Sequence, residues 1–361
     1  MSNLTMPTLT VAFKQRASTA VARSQKGTVA LIIRDAVAAA KGLQYTLTST
    51  AQIPATLGVA NQASIRRVFS GNTNPPKKVL VYVMDAADVI AADSAVLTWL
   101  ATQKFDYLAG PDDITAAEAG VIKTWLLNQR SDYHAIYKAV LPDLTADSEA
   151  IVDFAGSGIL VDGTTFDAAG YCGRIAGLIA GTPMRQSITY AALPEVDDID
   201  RLTSLEMDTA VGKGQLVLYH DGEKVKCGRG VNSLTTVTGK SDIWKKIKIV
   251  ELLDMVQQDI RLTIQDNYIG KLPNTYDNKL QLVTAISVYL QALAKDDLIA
   301  SDFSCGIDVD AQDAWLQEQG TPTVDMSEQE IKEANTGTHV FLSIYINPID
   351  AMEDVAVNIY L

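Results

Sequence analysis

The sequence predicts a two-part chain, an α/β region followed by an α+β region, and three observations carry that reading. Between residues 28 and 183, apolar runs of strand length alternate with helix-length amphipathic runs, the pattern of βαβ units around a mostly parallel sheet. After residue 195 the alternation stops, and two long helical stretches follow a hairpin-like segment. The composition, 47% hydrophobic and 20% charged over 361 residues, supplies a large core without staples and suggests two or three domains.

Each element follows from its own residues. TVALIIRD (28–35) is an apolar run that reads as a buried strand. IPATLGVANQASIRRVFSG (53–71) reads as a helix stopped by Gly71. KKVLVYVMD (77–85), entered through Pro75 and Pro76, is the second strand, and AADVIAADSAVLTWLATQK (86–104) the amphipathic helix after it. FDYLAGP (105–111) and ITAAEAGVIKTWLLNQRSD (114–132) repeat the strand–helix pair, and HAIYKAVLP (134–142) and AIVDFAGSGILVDG (150–163) are further strands. The helix AAGYCGRIAGLIAGTP (168–183) carries Gly173, Gly177 and Gly181 at spacing four; it is short and holds Arg174, so the spacing predicts close packing of a soluble helix rather than a membrane seam. The first region ends near Leu193-Pro194.

In the second region, residues 214–239 read as a hairpin turning at Asp221-Gly222. Long helices are predicted over 242–270, ended by Gly270, and over 278–297. FSCGIDVD (303–310) is a strand and AQDAWLQEQG (311–320) a short helix. HVFLSIYINP (339–348) places Val340, Leu342, Ile344 and Ile346 on one strand face.

Three far-apart cysteines, Cys172, Cys227 and Cys305, with no metal spacing read as buried free thiols in a reducing compartment. The N-terminus lacks a secretory pattern, and no run approaches the ~20 apolar residues of a membrane span, so the protein is expected to be made and kept in the cytoplasm unless cell lysis releases it. The net charge of −13 disfavours nucleic acid as a partner. Its distribution is uneven: residues 296–361 hold fourteen acidic residues against Lys332 alone, whereas the head carries Lys14, Arg16, Arg23 and Lys26. Such a split suits head-to-tail attraction between copies.

No catalytic, cofactor or metal site emerges. His134, His220 and His339 stand outside any metal-ligand or triad spacing, and no nucleophile elbow is present. GKS at 239–241 has Leu234 where a phosphate loop needs glycine. DVDAQD (308–313) opens like a calcium loop but lacks its glycine and its final glutamate, so these acids read as solvated. GRGVNSLTT (228–236) is the most motif-like stretch; Arg229 and Asn232 there suit a structural turn or an interface cluster better than an anion site. An α/β enzyme acting on a nucleotide or ester remains the alternative of a different class.

Both chain ends look like strands on tethers. Leu9, Thr10, Val11, Ala12 and Phe13 form a short strand candidate at the head. At the tail, Val355, Val357, Ile359 and Leu361 alternate with Ala356, Asn358 and Tyr360. An unpaired strand leaves backbone groups that must find partners, on its own subunit or on another chain.

The ordered set PTLTVAFKQRASTAVARSQKGTVALIIRD (7–35), PKKVLVYV (76–83), FDYLAGPDDIT (105–115), YCGRIAGLIAGTPMRQSITY (171–190), DGEKVKCGRGVNSLTT (221–236), KIKIVELLDMVQQDIRLTIQDNYIGK (246–271) and INPIDAMEDVAVNIYL (346–361) resembles the contractile tail sheath proteins of bacteriophages, closest to those of myophage-like prophages and R-type bacteriocins of Gram-positive bacteria. The resemblance implies a structural subunit, not an enzyme, with no cofactor. It implies a peripheral α/β domain (27–194) and an inner α+β core (195–346) whose sheet is extended by the terminal strands of neighbouring subunits. The arms would be 1–26 and 347–361, with residues 9–13 and 355–361 as donors and Val340, Leu342, Ile344 and Ile346 as acceptor. The implied partners are further copies in a helical polymer, an inner tail tube, and baseplate and terminator proteins, without membrane insertion. A type VI secretion-like sheath is a further alternative, disfavoured because that system usually divides its sheath between two chains.

Overall fold

The computed structural model describes residues 27–239 and 241–360. They fall into two units, one of residues 27–251 with 351–360, the other of residues 252–350. The donor candidate at 9–13, the basic residues Lys14, Arg16, Arg23 and Lys26, and Leu361 lie outside the described residues.

The first unit is built on strands β1 (Thr28–Asp35), β2 (Gln44–Leu47), β3 (Lys78–Asp85), β4 (Tyr107–Ala109), β5 (Lys138–Pro142) and β6 (Ile151–Phe154). A small hairpin, β7 (Ile159–Val161) with β8 (Thr164–Phe166), precedes β9 (Gln215–Leu216). The seven-stranded sheet has the order β2-β3-β1-β4-β5-β6-β9. Every pairing is parallel except that of edge strand β2 with β3. Helices cover both faces, which is why the central strands are apolar along their whole length. On one face Val29, Leu31 and Ile33 pack with Ile65 and Val68 of α1 (Val59–Ser70). On the other, Ala30 and Ile32 pack with Leu97 and Leu100 of α2 (Ala95–Ala101) and Ile122 and Leu126 of α3 (Ala116–Tyr133). β9 ties residues beyond 194 to this sheet, so the compact unit runs on to Glu251 instead of closing near Leu193-Pro194.

The next helix, α4 (Ala168–Ala180), is buried almost throughout, and its glycine seam is a packing device. A Cβ on Gly177 would sit 2.1 Å from the Val68 carbonyl oxygen of α1, and one on Gly181 would sit 2.1 Å from that of Asn74. The seam thus faces a neighbouring helix and turn rather than the sheet alone; Gly173 is the one facing β1, at Leu31. Arg174, 3% exposed, donates from Nε to Glu195 Oε1 (2.5 Å) and from a terminal nitrogen to the Gly71 carbonyl (2.7 Å).

Several sequence expectations are corrected. Only 95–101 of the predicted 86–104 helix is helical, because the stretch before it is a turn in which Asp88 accepts from the Asp85 amide (3.1 Å) and Ser94 from the Ala91 amide (2.7 Å). The predicted 150–163 strand is two strands, broken at Gly158 with φ +60°. The short helix α5 (Ser204–Gly212) was not anticipated, although Thr203 and Glu206 form a capping box at its start. The 214–239 hairpin turns where expected, but only β10 (Leu218–His220) and β11 (Val225–Cys227) pair. Cys172 and Cys227 are buried; Cys305 is only half-buried.

The second unit comprises the larger part of α6 (Ile247–Asn267), α7 (Tyr276–Lys295), β12 (Ser304–Ile307), α8 (Val309–Glu318), α9 (Glu328–Glu333) and β13 (Leu342–Tyr345). Gly270, at φ +72°, and Thr275, which caps α7, shape the turn between the long helices. The acids of the 308–313 stretch build a helix start: Asp308 accepts from the Ala311 amide at 3.0 Å. β12 and β13 form an antiparallel pair, and it is the only sheet among the described residues of this unit.

Candidate assembly site at the C-terminal arm

The strand expected over 339–348 is shorter than its pattern. Leu342–Tyr345 pairs with β12, with Ile344 opposite Cys305 and Leu342 opposite Ile307. Val340 and Ile346 flank it, and the pairing resumes where Ala300 donates to the Asn347 carbonyl (2.8 Å) and Ile349 to the Leu298 carbonyl (3.0 Å). A two-stranded ladder is marginal in water; three or more strands are the usual stable minimum. Its apolar residues are also incompletely covered, with Val340 43% and Ile344 36% exposed.

Beside the start of β13 lies a cavity of ≈ 670 Å³, lined mainly by apolar groups that include Ile264, Tyr268, Leu282, Val340 and Leu342. Two polar atoms in it are buried and unsatisfied among the described residues, the Tyr268 hydroxyl and Asn274 Oδ1. Burial pushes the Tyr268 phenol up to about 12. Lys279, 3% exposed, donates to Gln312 Oε1 (3.1 Å), and desolvation lowers its pKa.

Beyond Asp350 the chain belongs to the first unit again. Val355, Ala356, Val357, Asn358, Ile359 and Tyr360 carry no strand assignment and are all exposed, Val355 by 76%, Val357 by 74% and Ile359 by 82%. The alternation seen in the sequence therefore has no partner strand among the described residues.

The arm leaves from an anchored root. Glu353, whose side chain is 4% exposed, accepts from Thr189 Oγ1 (2.6 Å), Ser187 Oγ (2.9 Å) and Lys246 Nζ (3.0 Å). Arg229 Nε lies 3.6 Å from its other flank, and the Arg229 guanidinium pairs with Asp354. Burial of the Glu353 carboxyl opposes its ionisation, but the bonds from Thr189, Lys246 and Ser187 outweigh that and hold its pKa below the ordinary value. Arg229 therefore serves the subunit's own arm. Asn232, fully buried, donates to the Trp244 carbonyl (2.8 Å) and accepts from the Leu234 amide (3.1 Å), so it braces the turn from inside. Sequence reading missed Glu353, Ser187, Thr189 and Lys246; nothing in their local sequence separates them from surface residues.

The chemistry-bearing candidates are accounted for by structure. His134 terminates α3 in a left-handed conformation, His220 Nδ1 accepts from the Gly222 amide (3.0 Å), and His339 stacks on Phe341. In a doubly wound sheet, ligands bind where the strand order reverses, here between β1 and β4. At that place Arg34 pairs with Asp113 (2.6 Å) and with Glu118, and Glu118 also accepts from the Ile90 and Thr115 amides (2.9 and 3.0 Å). Asp35 accepts from the Gly58 amide (2.7 Å) and from Asn61 (3.0 Å). Arg34 is thus neutralised by Asp113 and Glu118, and Asp35 is held by hydrogen bonds from uncharged groups. Among the described residues no cluster of three or more His, Cys, Asp or Glu could hold a metal, and no helix is long and apolar enough to cross a membrane.

The described residues thus form a mostly parallel α/β unit, a second unit with a two-stranded sheet, and an exposed C-terminal segment. The family model for the phage tail sheath protein central domain matches residues 83–233, and that for the phage tail sheath C-terminal domain matches residues 239–361. The tail sheath protein of Clostridium phage phiCD119 is 36% identical over 98% of each chain. The fold is shared with the sheath tail protein of Listeria innocua (TM-score 0.70, 16% identity, 94% of this chain and 99% of that one). It is also shared with the helical sheath of the anti-feeding prophage in its contracted state (TM-score 0.67, 15% identity, 93% of each). The chain belongs to the phage tail sheath protein family and is a structural component of a contractile phage-type tail.

Proposed function

We propose that this subunit polymerises helically around an inner tail tube, each copy donating its terminal strands to the sheets of its neighbours, and that the polymer shortens to drive the tube through a target envelope. In this reading baseplate and terminator proteins cap the two ends of the polymer. Assembly takes place in the host cytoplasm. The relative solved as a contracted helical sheath supports the assembly mode by analogy of fold. The observation that carries the reading is the pairing of a deficit with a surplus: a ladder of two strands beside an open apolar cavity, and an exposed segment at residues 355–360 whose apolar side chains alternate.

The energetics favour the joint. Seven extended residues span about 23 Å. About 4–6 ladder hydrogen bonds at ~1 kcal/mol each, with four apolar side chains withdrawn from water at ~1–2 kcal/mol each, leave several kcal/mol after ordering costs. Head-to-tail contacts that do not close generate helical filaments, and arms that stay paired let the bodies re-dock between two packings.

Deletion of residues 355–361 tests this. The expected product is a soluble subunit with unchanged melting temperature that forms no tubes under negative stain, while the intact chain does. Tubes of normal yield from the deleted protein would overturn strand donation at this end.

A further inference from the structure

The last anchored residue of the arm is one residue from where its alternation begins, and the anchor is a built socket. The hydroxyls come from the segment after α4 (Ser187 and Thr189), the guanidinium from the turn after β11 (Arg229) and the ammonium from just before α6 (Lys246). Three separate parts of the α/β unit thus converge on one carboxylate. Surface ion pairs are worth little, but here the Glu353 side chain is 4% exposed and accepts from Ser187, Thr189 and Lys246. A chain end that only drifted over the surface would not bury a carboxylate in this way, since a buried charge needs its donors supplied. The neighbouring Asp354 is 82% exposed and pairs with the Arg229 guanidinium, so the two acids divide the work unequally.

We propose that Glu353 is the positioning residue of the C-terminal arm: its socket of Ser187, Thr189, Lys246 and Arg229 clamps the arm's root to its own subunit, so that only the strand from Val355 onward is free to leave. This rests on the donation reading above and goes beyond it by assigning where the arm stops being part of the body. The connection from 347 to 354, which taken alone could extend roughly 28 Å, is then held at both ends, at the Pro348–Ile299 bridge and at Glu353. The clamp defines the point from which the donated strand departs and passes load from the joint into the α/β unit through side-chain bonds rather than a slack tether.

The test uses the full-length chain with a nitroxide at Val355→Cys, in a Cys305→Ser background that leaves only the two buried native thiols. In the unassembled subunit, Glu353→Ala and Glu353→Gln should raise the mobile fraction of the label about tenfold, the change expected when hydrogen bonds to a charged group are lost. Glu353→Asp should restore part of the order, and Asp354→Asn should leave the label largely ordered. The pH profile supplies a second readout. The charged groups facing Glu353 are Lys246 and Arg229, with Asp354 and Tyr190 next to Arg229. A carboxylate held below its usual pKa keeps the clamp closed at neutral pH and opens it as pH falls below the ordinary carboxylate range. Glu353→Gln should therefore be mobile at every pH. Tube formation by Glu353→Ala should fall several-fold without a shift in melting temperature. A label equally ordered in wild type and Glu353→Ala would overturn the clamp. If the label loosens but neither Glu353→Ala nor the 355–361 deletion affects tubes, the clamp stands and donation from this end is what fails.

Discussion

Arg174 shows how one buried charge is made tolerable. It sits within the most apolar helix of the chain, yet its donors meet Glu195 and the Gly71 carbonyl, and Tyr171 donates to the same Glu195 oxygen at 2.7 Å. Burial opposes ionisation of Glu195, but the charge and bonds of Arg174, with the Tyr171 bond, hold its pKa below the ordinary value. Removing one partner of a buried pair leaves the other uncompensated. Arg174→Met should cost about 3 kcal/mol of stability in urea unfolding. The contribution of Glu195 is present above the ordinary carboxylate range and is lost as pH falls through its lowered folded-state pKa, so Glu195→Gln should flatten that part of the acid limb. An unchanged acid limb would show that Glu195 is not coupled to folding. Arg174 was visible in the sequence as an oddity inside a glycine-rich helix. Its partner, 21 residues away across a loop, was not.

At the level of elements, the spacing of glycines was legible and its partner was not. Gly173, Gly177 and Gly181 predict a smooth helix face; that Gly177 meets the backbone of α1 depends on how the chain returns over the sheet. Gly177→Ala puts a methyl 2.1 Å from the Val68 carbonyl oxygen, so α1 and α4 must move apart. The expected loss is about 3 kcal/mol, at the upper end of ordinary overpacking; a melting temperature equal to wild type would refute the close approach. Strand lengths were overestimated wherever the apolar pattern ran past its pairing. Residues 340–346 place an apolar side chain at every second position, but backbone ladders need a facing strand, and β12 supplies only four paired residues before the ladder is interrupted. The caps Thr203, Asp308 and Ser327 went unread in the sequence, although each is a local arrangement within one turn. β2 escaped notice because an edge strand, half-covered and polar, has little periodicity.

Across the whole molecule, charge separates along the chain. The acidic stretch after residue 296 is opposite in sign to the basic head, which suits attraction between copies. Opposite fields steer association and are screened by salt. Arg16→Glu with Arg23→Glu should slow tube assembly and reverse its salt dependence, measured by light scattering from 50 to about 500 mM salt, where the Debye length shrinks below 10 Å. The same assembly rate and salt profile as wild type would remove charge complementarity from the account. At the switch point of the sheet, where an α/β enzyme would bind its ligand, Arg34 is paired with Asp113 and Glu118, and Asp35 accepts from the Gly58 amide and Asn61.

The sequence by itself determined the α/β then α+β order, the parallel character of the sheet, the alternating tail and the family, because each rests on local periodicity or an ordered set of similar segments. Only the tertiary structure decided that the first compact unit extends to Glu251, that the glycine seam lies against α1, and that Glu353 meets Ser187, Thr189 and Lys246. Those facts join residues more than a hundred positions apart, and nothing in the chain marks two such residues as neighbours until the fold has brought them within bonding distance.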